Sequence, residues 1–215
     1  MDKNLKSELR NNKIQARNNL SKEERALFSE QISEHIVGSD VFKKAQTIMI
    51  YSAVKGEVNL QWLEFIATKL GKQLVFPLCV SKSEMIALSP KTNLAHGQSA
   101  WKKGMYGIME PVREYSVEIA PEDIELVICP CTAFDEHGGR LGMGAGYYDR
   151  FLLKCKNACV AAVAFEVQKA EYVPMEAWDR RMDVIFTERG KCTVSGVRYS
   201  PLESLSKTQN KKQQK

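Results

Sequence analysis

Two short apolar runs, ELVIC at 125–129 and CVAAVAF at 159–165, most constrain how this chain can fold. Each is the length of a strand and has almost no polar face. Such strands need cover on both sides, as in a parallel sheet flanked by helices. Further strand-like runs fall at 47–51 (TIMIY), 74–77, 85–89 and 182–187. Helical patterns lie between and before them. Residues 3–18 contain few breakers, and Ser21 and Glu24 form a capping box for a second helix. That helix carries Leu27, Phe28, Ile32 and Ile36 on one face and stops at Gly38. Asn59 caps a third helix ending at Gly71, and residues 147–155 suggest a fourth. Strands alternating with helices predict one α/β domain over 1–205 with a mostly parallel sheet. No internal repeat or linker interrupts it.

Composition narrows the class further. The 215 residues are 44% hydrophobic with net charge +5, which excludes disorder for most of the chain. The longest apolar run, around 158–165, is far short of the roughly 20 residues that cross a bilayer. The amino-terminal MDKNLKSELR lacks the apolar core of a secretory signal. Six scattered cysteines without a CxxC pair are therefore expected to be reduced thiols in a cytoplasmic protein. Cys129 and Cys131 lack both zinc-type spacing and a partner pair. Four lysines in the last ten residues, SKTQNKKQQK, account for most of the positive charge. The body is nearly neutral, and the tail at 206–215 is expected to be disordered and solubilising.

The chemistry concentrates in DEHGGRLGMGAGYYDRF at 135–151. Five of thirteen glycines, at 138, 139, 142, 144 and 146, fall within nine positions, after a strand and before a helix. Such a loop can turn its N–H groups toward an anion, with Arg140 as a forked cation beside it. It is neither a Walker A loop nor a dinucleotide fingerprint. A tight turn needing positive φ angles is the structural alternative. Asp149, in the first turn of the following helix, can complement the helix dipole or hold Mg²⁺ against phosphate oxygens. Asp183, just before a strand, can supply a second carboxylate to that ion or pair with Arg180 or Arg181. Lys3, Lys6, Arg10, Lys13 and Arg17 form one basic stripe on the first helix. It is either a solvated face or a set of cations reaching a phosphate ligand.

The run RLGMGAGYYD at 140–149 closely resembles the signature of the 5-formyltetrahydrofolate cyclo-ligase family, and the match covers about residues 3–188. Less specific similarities are CPCTAFD at 129–135, Lys6 and Arg10, Tyr51 and Glu57, Phe76 and Pro77, YGIMEP at 106–111, and Asp183. Met143, Ala145 and Met109 depart from residues common in the family.

The resemblance implies a three-layer α/β/α domain with a mainly parallel central sheet. It also implies conversion of 5-formyltetrahydrofolate to 5,10-methenyltetrahydrofolate with Mg-ATP, through a phosphorylated formyl group. Arg140 and Asp149 would be catalytic. Lys6, Arg10, Arg140, Leu141, Gly142, Met143, Gly144, Ala145, Gly146, Tyr147 and Tyr148 would bind ATP. Glu57, Tyr106, Met143 and Tyr147 would contact the folate, and Asp149 and Asp183 would hold Mg²⁺. Of Tyr147 and Tyr148, one is expected to line the folate pocket and one to pack the loop. Trp101 is a further candidate wall. The implied partners are ATP and the folate, bound by a monomer, with no membrane and no specific nucleic acid. Two rivals are a non-catalytic folate- or nucleotide-binding member and a nucleic-acid module acting through the lysine tail. The neutral body argues against the second.

Overall fold

The computed structural model describes residues 3–54, 56–95, 98–104, 107–176 and 178–194. Tyr106 and the tail at 206–215 lie outside the described residues. The chain runs through α1 (Lys3–Asn18), α2 (Lys22–Gly38), α3 (Asp40–Lys44), β1 (Thr47–Met49), α4 (Gln61–Lys69), β2 (Gln73–Cys79) and β3 (Met85–Pro90). A hairpin of β4 (Trp101–Lys103) and β5 (Met109–Pro111) follows, then β6 (Ser116–Ile119), β7 (Leu126–Pro130), β8 (Ala133–Phe134) and β9 (Arg140–Leu141). Next come α5 (Tyr147–Leu152), β10 (Cys159–Val163), β11 (Val184–Thr187) and β12 (Gly190–Thr193).

Eight strands form the main sheet in the order β12-β11-β10-β7-β1-β2-β3-β6. The five from β11 to β2 are mutually parallel, and β12, β3 and β6 extend it by antiparallel pairing. Period-two alternation buries both faces. Ile48, Leu126, Ile128, Ala161 and Val163 meet Ile32 and Ile36 of α2 and Leu63 and Ala67 of α4. Met49, Val127, Cys129, Val160 and Ala162 face the other way, onto Phe151 and Leu152 of α5. The architecture is the expected three-layer α/β/α arrangement with a mainly parallel sheet. The Ser21–Glu24 capping box opens α2 as expected.

Two expectations change. The helix expected over 147–155 is only the six residues of α5, because a turn begins at Leu153. Helix α3 and the short strands β4, β5, β6, β8, β9 and β12 have no counterpart among the sequence-based expectations. These are too brief to show a period, and several depend on pairing with distant residues.

From β1 the chain passes through α4 to β2 on one side, while β7 and β10 lie on the other. The sheet therefore changes winding direction next to β1. In such sheets a crevice forms beyond the carboxyl ends of the strands at this point.

Candidate active site

A cavity of about 1090 Å³ occupies that crevice. Tyr51, just after β1, and Pro130 and Thr132, at the end of β7, form part of its floor. Residues 142–146 of the glycine segment line it as well.

Asp135 sets the start of that segment. Its buried carboxylate accepts the N–H groups of His137 at 2.9 Å and Gly139 at 2.8 Å through Oδ1, and that of Val173 at 2.7 Å through Oδ2. Gly138 is needed here because its φ is +80° and a Cβ would sit 2.7 Å from the Met182 carbonyl oxygen. Gly138→Ala is expected to lower stability by about 2 kcal/mol, from left-handed strain plus a backbone clash. The check is a lower urea midpoint at an unchanged denaturant slope; an unchanged midpoint contradicts the argument.

The β8–β9 hairpin then delivers Arg140, which is buried. Its guanidinium donates to Asp149 Oδ1 at 2.6 Å and to the Pro130 carbonyl at 3.2 Å, and it lies 5.6 Å from the Tyr148 ring centroid. Its Nε and the Tyr148 hydroxyl are buried with no hydrogen-bond partner among the described residues. Burial pushes the Tyr148 phenol well above its usual range, with Cys129 and Glu57 adding to the effect, so it remains a donor at neutral pH. Gly146 caps α5 in the left-handed region at φ 68°. Among the described residues, no backbone hydrogen bond uses the N–H groups of residues 142–146.

Four members of the basic stripe of α1 turn toward the protein, and one, Arg10, meets this loop; the Lys3 side chain lies outside the described residues. Arg10 Nε donates to the Gly142 carbonyl at 2.9 Å. Lys6 pairs with Asp179 at 3.3 Å and Glu176 at 3.4 Å on the cavity wall. Lys13 donates to the carbonyls of Val167 and Lys169, tying α1 to the turn at 166–168. Arg17 is buried at the back of the cavity. Burial lowers its pKa and the negative charge of Glu57 opposes that shift.

Acidic and aromatic side chains from the β1–β2 side line the same cavity, with Arg17 interacting with Glu57 and Tyr51. Glu57 Oε2 accepts the Val54 N–H at 3.1 Å. Tyr51 donates to the Val58 carbonyl at 2.9 Å, and burial first, then Glu57, raises its pKa well above the ordinary value. Burial also raises the pKa of Glu64, in the first turn of α4. Phe76 and Trp101 meet edge to face, 4.7 Å between ring centroids.

The structure thus brings Lys6, Arg10, Glu57, Arg140, residues 141–148 and Asp149 to one cavity, along with Trp101. Tyr147 and Tyr148 both line it and both pack on the core, so their expected division of labour does not hold. Asp183 is a correction. It does not line the cavity; Oδ2 accepts the Val160 N–H at 2.7 Å and pairs with Arg180 at 3.2 Å. It precedes β11, whereas the glycine loop follows β7, and in a parallel sheet these positions lie at opposite edges. Three residue steps along β10, about 10 Å of strand, separate Val160 from Val163, the partner of Pro130. Arg17, Glu64, Glu176, Trp178 and Asp179 were not assigned to the site from sequence but line it. Of these, Arg17 alone carried a signal, its place on the basic stripe. Cys129 and Cys131 are buried, with thiols pushed up to about 12 by burial, so they are poor thiolate ligands.

The sequence profile described as the 5-formyltetrahydrofolate cyclo-ligase family matches residues 2–188. The chain belongs to this cyclo-ligase family. It is 27% identical over 181 residues to a 5-formyltetrahydrofolate cyclo-ligase from Haemophilus influenzae, covering 81% of this chain and 91% of that protein. The NMR structure of Aquifex aeolicus 5,10-methenyltetrahydrofolate synthetase superposes with TM-score 0.76 at 36% identity, covering 90% of this chain and 95% of that one. A 5,10-methenyltetrahydrofolate synthetase from Mycoplasma pneumoniae shares the fold at TM-score 0.68 and 23% identity, covering 87% and 99%. As an enzyme of the cyclo-ligase family, the chain has no group of three metal-ligating side chains among its described residues. Asp149 lines the cavity beside the glycine loop and is about one-third exposed. One such carboxylate suits a magnesium ion that arrives with phosphate oxygens, which needs only one or two protein carboxylates.

Proposed function

We propose that this chain uses ATP to convert 5-formyltetrahydrofolate to 5,10-methenyltetrahydrofolate, releasing ADP and phosphate, as a cytoplasmic monomer. One observation carries the reading: a cationic glycine loop and an acidic, aromatic wall share a single cavity large enough for a nucleotide and a reduced folate. Lys6, Arg10 and the N–H groups of 142–146 would hold the triphosphate, with the unused Arg140 Nε turned to it. Glu57 would accept the N–H donors of the pterin, and Phe76 and Trp101 would flank its rings. Met143, 50% exposed on the loop, and Tyr147 would lie between the two ligands.

A formyl amide oxygen is a poor leaving group. The chain's task would be to align that oxygen with the γ-phosphorus while ADP departs from the opposite side. N10 then attacks the formyl carbon, the carbon–oxygen bond breaks, phosphate leaves and N10 loses its proton. Arg140 would neutralise charge on the transferring group. Magnesium, when bound with the nucleotide, would supply further positive charge beside Asp149. Asp149→Asn is therefore expected to raise the magnesium concentration for half-maximal rate at least about tenfold. An unchanged magnesium dependence removes Asp149 from that role.

The decisive experiment follows ADP and the methenyl chromophore together in one reaction. Equal amounts of both, dependent on 5-formyltetrahydrofolate, support the reading. Saturable binding of both ligands with no ADP release selects the non-catalytic member instead.

A further inference from the structure

We propose that Trp178 is the stacking surface for the purine base of the nucleotide; the inference rests on the functional reading above and extends it. The indole is 64% exposed yet stands on the cavity wall. Asp179, the next residue in the chain, is bonded back to Glu176. Asp179 N–H donates to the Glu176 carbonyl at 3.1 Å, and Asp179 Oδ2 accepts the Glu176 N–H at 2.8 Å. The same carboxylate oxygen accepts Lys6 Nζ at 3.3 Å, and the Asp179 side chain is only 13% exposed. Beside this anchored aspartate, Trp178 presents a large ring that the described residues leave mostly uncovered.

Position assigns the ring's partner. Trp178 is adjacent to the residue that holds Lys6, so it stands at the phosphate end of the cavity. Phe76, Trp101 and Glu57 lie on the β1–β2 side, where the folate rings would go. A base joined to a triphosphate held by Lys6 and Arg10 reaches the indole, and every purine offers it a flat π-face.

The test is calorimetric titration of the full chain with two probes, magnesium-ATP and inorganic tripolyphosphate, which has no base. Trp178→Ala is expected to weaken ATP binding by roughly ten- to a hundredfold, the range for losing one base–aromatic stack, and to change tripolyphosphate binding less than about twofold. Trp178→Phe keeps a flat ring and is expected to retain most of the affinity. Unchanged ATP binding by Trp178→Ala overturns the inference and leaves the functional reading standing. Equal weakening of both probes also overturns it, since the loss then lies at the phosphate end. A wild-type chain that binds no ATP defeats both.

Discussion

Arg140→Met is expected to cut turnover by about a thousandfold or more while the protein stays folded. Among the described residues, the guanidinium is the one cation that is both buried in the glycine segment and in contact with Asp149. Its side chain is 4% exposed, so in the proposed reaction water would screen it little as the transferring phosphoryl group develops charge. Arginines that neutralise such a transition state are worth about 10³–10⁵ in rate. Methionine fills the space but leaves the Pro130 carbonyl without its donor and Asp149 without its partner. Asp149 is about one-third exposed and regains water, which limits the stability loss to about 1–2 kcal/mol. The measurements are single-turnover ADP release and a urea transition on the same preparation. A turnover number within tenfold of wild type sinks the assignment. Arg140→Lys should fall between, because one ammonium cannot reproduce a fork that reaches both Asp149 and Pro130.

Asp135→Ala is expected to destabilise the fold by about 3–5 kcal/mol, the largest stability effect at the site. The carboxylate is 1% exposed and accepts three backbone N–H groups, from His137, Gly139 and Val173. Each buried donor left without an acceptor costs about 1–3 kcal/mol, and partial hydration of the vacated space trims the sum. Asp135→Asn keeps the volume but turns one acceptor into a donor facing N–H groups, so it should lose nearly as much. Urea midpoints for both variants are the check. A shift worth less than about 1 kcal/mol in the alanine variant contradicts the argument. Activity should fall with stability, since Asp135 fixes the segment that delivers Arg140.

Much of this was legible in the amino-acid order because it was local. ELVIC and CVAAVAF lack a polar face and became β7 and β10, buried on both sides. The glycines and Arg140 lie within one short segment, so chain connectivity already places them together. The basic stripe was ambiguous because spacing identifies a helix face without saying what it meets. In the structure it meets the loop, through Arg10 and Gly142. Asp183 failed for an instructive reason. Local sequence marks a carboxylate beside a strand but not which end of the sheet it meets. Parallel topology, itself inferred from the same runs, puts a residue before a strand and a loop after one at opposite ends. Trp178 and Glu64 carried no local pattern, since only the closing of the cavity gives them neighbours.

The bond from Arg10 to Gly142 joins residues 132 positions apart. α1 therefore supplies its part of the cavity wall long before the glycine segment that faces it has been translated. A nascent chain stays catalytically silent until α5 has been made and has docked. Truncations that remove α1 should then yield a protein that retains its sheet and does no chemistry.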